Sequence, residues 1–248
     1  MDVAHILIAG IILCLSSAAQ SAVGFGYALY ATPLLVWLGL PLPSALVLVG
    51  TCSLFQSSTG AYKLRQYVPW KLVLKGCAIR GVTTLAGMAL MFQLIELDRS
   101  SMQLWLGIIL CSILAMQLLL RPKPQPKIAA GWTWASYSLS GLLSGISGMG
   151  GPPIVIWAMA HDWETKRIRG LLFATFAICI PFQLVLLAAT LGSQVIHDVL
   201  IGLCFLPLVY LGQKIGHPIG NRISRPRLSQ LAYLILFVIG VGSIWPSL

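Results

Sequence analysis

Apolar runs of about 17 residues or more, the length that reaches across a bilayer, recur along this whole chain. That recurrence leaves it few ways to fold. Helix-like apolar segments fall at roughly 3–19, 25–38, 44–60, 72–93, 102–120, 132–147, 153–160, 168–190, 198–219 and 229–246. Of the 248 residues, 58% are hydrophobic and 9% charged, against about 25% charged in soluble domains. The expectation is an all-α, polytopic membrane protein with no soluble domain. The first segment is expected to stay in the mature protein, because Asp2 is the only charge before it and a signal peptide needs a basic leader.

The net charge of +10 comes from cations gathered in connections between segments. Lys63, Arg65 and Lys71 form one cluster, and Arg121, Lys123 and Lys127 a second. Lys166, Arg167 and Arg169 form a third, Arg222, Arg225 and Arg227 a fourth. The connections at 94–101 and 191–197 hold only Arg99. Basic loops stay cytoplasmic, so the charge reports topology and implies no nucleic-acid partner. The six cysteines lie inside apolar text with no CxxC spacing, which points to small buried hydrophobes and not to disulfides or metal ligands. No metal and no cofactor is expected.

Within this text the passage SGISGMGGPPIVIW, 144–157, breaks the pattern. Gly and Pro are the poorest residues for a helix interior. With the second and third basic clusters both cytoplasmic, the stretch between them must enter the membrane and return. Its arms, about 24 and 12 Å long at 1.5 Å per residue, are both short of the roughly 30 Å core. A re-entrant helical hairpin with a glycine tip follows.

The same order of motifs occurs twice. GFG at 24–26 answers GMG at 148–150; PLLVW at 33–37 answers PIVIW at 153–157; CSLFQ at 52–56 answers CIPFQ at 179–183. The loop after the first CxxFQ match is basic and the loop after the second is not, so the repeats are expected to be inverted. Each would have one hairpin and three crossings. The expected organisation is an N-terminal repeat at 1–120, a cytoplasmic linker at 121–131 carrying RPKPQPK, and a C-terminal repeat at 132–248. Inverted repeats with discontinuous helices mark transporters.

Irregular backbone at membrane depth survives only where protein or a wet cavity surrounds it. Helix N-termini that start there carry partial positive charge, and flanking glycines let backbone amides converge on an anion. Two such tips facing one cavity would hold an anion. The candidate binding residues are Ser21, Gly24 and Gly26 at the first tip, and Ser147, Gly148, Gly150 and Gly151 at the second. Gln56 and Gln183 join them as repeat-related polar residues, with Arg80 as the one charge well inside a span. The plainer alternatives are close helix packing for the glycines, helix–helix hydrogen bonding for the glutamines, and snorkelling to the cytoplasmic surface for Arg80. All six carboxylates sit near loops or span ends. Transporters that need a mid-membrane acid are therefore disfavoured.

The passages SAVGFGYALYATPLL and SGISGMGGPPIVIW resemble the repeat signatures of the sulfite exporter TauE/SafE family, also called toluene sulfonate uptake permeases. The resemblance covers essentially the whole chain. It implies a transporter in a bacterial inner membrane that moves a small sulfur-containing anion such as sulfite or an organosulfonate, with exporter as the expected direction. The first motif departs from it in having Thr32–Pro33 where the second has a double proline. Two other functions fit parts of the sequence. GISG at 145–148 matches the GxSG of rhomboid-type intramembrane serine proteases, with Ser147 as nucleophile and His217 as base. An anion channel would use the same glycine tips. The expected partners are the small sulfur-containing anion and the lipid bilayer, and a homo-oligomer is compatible with the chain.

Overall fold

Glycine and proline set most of the helix boundaries. A computed structural model describes residues 3–23, 26–120, 124–125, 128–222 and 225–244. Among these the architecture is helical throughout. The first half contains α1 (Val3–Val23), α2 (Tyr27–Trp37), α3 (Leu42–Lys63), α4 (Trp70–Ile95) and α5 (Arg99–Leu119). The second contains α6 (Ala130–Ser147), α7 (Gly151–Met159), α8 (Thr165–Leu191), α9 (Ser193–Cys204), α10 (Leu206–Arg222) and α11 (Arg225–Ile244). Asp98 caps α5 by accepting a 3.1 Å bond from the Ser101 amide. Those hydrogen bonds hold its carboxyl below the usual carboxylate range.

Among the described residues four helices are long and apolar enough to cross a membrane: α4, α8, and the Ala4–Ala22 and Ser100–Leu119 stretches of α1 and α5. A fifth arises if α9 and α10 count as one bent span. Their outward rows are apolar, as at Leu7, Ile11 and Leu15 on α1, each more than half exposed. α3 is less apolar because it is central: α8, α9 and α2 pack around it, and its Thr51, Gln56 and Ser57 are buried.

Two sequence expectations change here. The segment at 198–219 is not one helix. It starts earlier, at Ser193, and bends by 47° between α9 and α10. Pro207 follows the bend immediately and has no N–H to continue the ladder from α9. The first arm of the N-terminal hairpin is also longer than expected: α1 has 21 residues, about 31 Å at 1.5 Å each, enough to cross alone.

The second hairpin closes on itself. α7 runs back along α6, with Trp157 Nε1 donating to Thr133 Oγ1 at 3.2 Å and the Tyr137 and Trp157 rings edge to face. The Gln125 amide donates to Ala160 O at 2.9 Å, and the Asp162 amide to Gln125 O at 3.2 Å. Entry and exit therefore meet at one end. His161 stacks on Trp163 at that end, and burial lowers its pKa.

Packing directions relate the halves. α4 lies parallel to α6, and α1 parallel to α10, with glycine contacts that leave no room for a Cβ: Gly87 and Gly145 between α4 and α6, and Gly212 and Gly216 facing Cys14 and Ala18 of α1. α3 and α8 run antiparallel, Gly50 facing Leu184 and Gly60 facing Phe173. α5 and α11 are antiparallel as well, Gly107 lying against Gly240 and Ile244 and Gly240 against Cys111.

Candidate anion site between the two hairpin tips

Each tip turns on a left-handed glycine, a backbone that side chains rarely adopt. Gly26 has φ 104° and Gly148 φ 73°. These are the third position of the first motif and the first position of the second, so the two turns are not copies residue for residue. Gly24 lies outside the described residues.

The tips meet. Both border one cavity of about 60 Å³, walled by Gly26 to Leu29 from the first and by Gly148, Met149, Gly151 and Pro152 from the second. α1 adds Gln20, α3 adds Ser53, α4 adds Arg80, α6 adds Ser144 and α8 adds Phe176. Arg80 is only 3% exposed. Its side chain points into the bundle and does not snorkel to the surface.

Arg80 Nη2 donates to Ser144 Oγ at 2.9 Å, and its guanidinium lies 5.1 Å from the centre of the Phe176 ring. Ser144 Oγ donates in turn to Gln183 Oε1 at 3.0 Å, while Gln183 Nε2 donates to Ser144 O at 2.8 Å. Nε and Nη1 of Arg80 have no hydrogen-bond partner. Among the described residues no carboxylate lines the cavity or forms an ion pair with Arg80.

Magnitudes decide what this means. Arginine cannot shed its proton, and burying an unpaired ion costs several kcal/mol after relaxation. One hydrogen bond to a charged group returns about 1.5–3 kcal/mol, and a cation–π contact about 0.5–2. The deficit that remains is what a bound anion would remove.

The helix N-termini contribute less than the glycines promise. α7 begins at Gly151, so Pro152 and Pro153 occupy its first turn and have no N–H. Gly151 alone offers a free amide among those three. α2 is better placed, with Tyr27 and Ala28 preceding the first amides that bond back to Gly26 O.

Of the candidate residues, Gly26, Arg80, Gly148 and Gly151 line the cavity. Gln183 reaches it through Ser144. Gln56 does not: its Nε2 donates to Ser21 Oγ at 3.2 Å, away from the cavity. Gly150 is a packing residue, its carbonyl taking a bond from Ser140 Oγ and its Cα facing Ser144 with no space for a side chain. Ser147 is fully buried and donates to Leu143 O at 3.1 Å in its own helix. His217 is exposed on α10, which packs on α1, while α6 packs on α4. The Ser147–His217 protease arrangement is therefore not assembled. Gln20, Ser53, Ser144 and Phe176 were missed by the sequence argument. Gln20 and Ser144 do carry a signal, since each stands four residues before the first glycine of its tip motif. The cysteines lie within the helices as free thiols, but only Cys52 and Cys179 are buried and Cys204 is exposed, so the expectation of six buried side chains is corrected.

A family model for the sulfite exporter TauE/SafE matches residues 8–243, nearly the whole chain. The chain belongs to the sulfite exporter TauE/SafE family. This makes it a multi-pass membrane transporter of the sulfite and sulfonate type and not an enzyme. No curated protein and no solved structure matches it.

Proposed function

We propose that this TauE/SafE member exports a small sulfur oxyanion, sulfite above all, across a bacterial inner membrane, and that Arg80 binds it between the two tips. The unpaired, buried guanidinium in the tip cavity carries this reading. Tyr27, Ala28 and Gly151 add backbone amides and the positive ends of α2 and α7. The cavity of about 60 Å³ suits one sulfur and three oxygens. An aryl ring is a poor fit, because benzene takes a void of about 150 Å³.

Residues 1–120 and 132–248 act as two inverted repeats joined by the 121–131 linker. The antiparallel α3/α8 and α5/α11 pairs support this, since a two-fold axis in the membrane plane makes equivalent helices run oppositely. The matched α1/α10 and α4/α6 pairings support it too. Rocking of one half on the other would open the site to each side in turn.

Driving force follows from charge. With no carboxylate among the described residues at the cavity to bind a proton or sodium, the anion leaves down the inside-negative potential. Each exported charge gains about 2.3 kcal/mol per 100 mV. At about 1.4 kcal/mol per tenfold, that sustains roughly a fifty-fold monoanion gradient. Purified protein in liposomes carrying a potassium–valinomycin potential, with no pH or sodium gradient, should move sulfite in the direction the potential sets and reverse with it. Arg80→Gln should abolish that flux. Flux that ignores the potential but follows a pH gradient would refute uncoupled export.

A further inference from the structure

The tip cavity has one wall unlike the others. Most of its boundary is fixed: Gly26, Gly50, Gly148 and Gly151 present backbone, while Tyr27, Leu29, Leu46 and Met149 are all locked in the central core. Phe176 on α8 is different. It is half-buried, packs against the second apolar cluster from outside it, and lays its ring over the Arg80 guanidinium. Its Cζ is also the one atom near the start of α7 that a Cβ on Gly151 would meet, at 3.6 Å.

We infer that Phe176 sets the size of anion this transporter accepts, shutting out aryl sulfonates by occupying the space their ring would need. The inference rests on the tip cavity being the anion site. Its logic is geometric. Nε and Nη1 of Arg80 are the free donors for oxyanion oxygens, and the guanidinium face is already covered by an aromatic ring. An aryl sulfonate needs both features: donors for its oxygens and an apolar slot beside them for its ring. The donors are free; Phe176 fills the slot. Cutting Phe176 to alanine removes a ring of the size to be accommodated, leaving an apolar void of the kind that takes up benzene. The incoming ring would restore the stack on Arg80. Adding a methyl group at Gly151 works in the opposite sense, taking up cavity space in ordinary contact with Phe176 Cζ at 3.6 Å.

Sulfite and benzenesulfonate flux into proteoliposomes of the full chain tests this. The wild type should move sulfite, with benzenesulfonate neither moving nor competing. Phe176→Ala should raise the benzenesulfonate-to-sulfite flux ratio at least tenfold, and adding Arg80→Gln should remove the gained flux. The ratio is insensitive to how much protein folds. Phe176→Leu, which keeps more of the core volume, should raise the methanesulfonate-to-sulfite ratio in the same direction if the alanine variant does not fold. Ratios unmoved in both variants, or a wild type that carries benzenesulfonate as readily as sulfite, would overturn the role of Phe176 and leave the anion site standing. A wild type that moves neither anion would overturn the anion site and this inference with it.

Discussion

At the scale of single residues, neighbours in sequence have separate duties. A helix turns about 100° per residue, so Gln20 faces the cavity while Ser21 turns to Gln56. The sequence identified the right turn of helix and the wrong residue on it, because which face looks inward depends on α3 and α4. Arg80 was legible as a lone intramembrane charge, but its direction was not, since Ser144 on another helix sets it. Gly150 and Gly151 make the sharpest pair. Gly151 opens towards Phe176 across the cavity, whereas Gly150 lies against the α6 backbone. Gly151→Val should therefore abolish sulfite binding while thermal unfolding stays near wild type. Gly150→Val should lower stability by about 1–3 kcal/mol or more through overpacking, read as a fall in melting temperature in detergent. Equal losses of stability in the two variants would contradict this division.

Between elements, α4 and α6 touch backbone to backbone, and the contact aligns Arg80 with Ser144. Without a hydrophobic force between helices in lipid, such closeness depends on small residues. Gly145 faces the backbone of Thr84, Gly87 and Met88. Gly145→Leu should separate the pair, so that heated samples lose their monodisperse peak on size-exclusion chromatography at lower temperature than wild type. Sulfite affinity should fall in whatever protein survives. The glycine-rich text of α6 was visible, but its partner was not, because nothing in a single sequence pairs residue 145 with 87. The break between α9 and α10 was equally hidden. Pro207 was in view, yet membrane helices often carry proline without breaking.

For the whole molecule, the basic clusters and the two-fold repetition of motifs made the layout readable in outline. Both termini are expected on the periplasmic side, with 61–71, 121–131, 161–169 and 220–228 cytoplasmic. A C-terminal alkaline phosphatase fusion should be active and a C-terminal fluorescent fusion dark; the opposite result would mean that 132–160 crosses. Cavity volume was not readable, since it is what remains after seven helices pack. The naked guanidinium of Arg80 has one more consequence. A vacant carrier must shut its gates around an unneutralised cation, whereas a loaded one shuts them around a neutral pair, so the empty return stroke is the slow half of the cycle. Exchange should then outpace net export: sulfite added outside should hasten the exit of labelled sulfite from inside, while an open pore would show no such trans-acceleration.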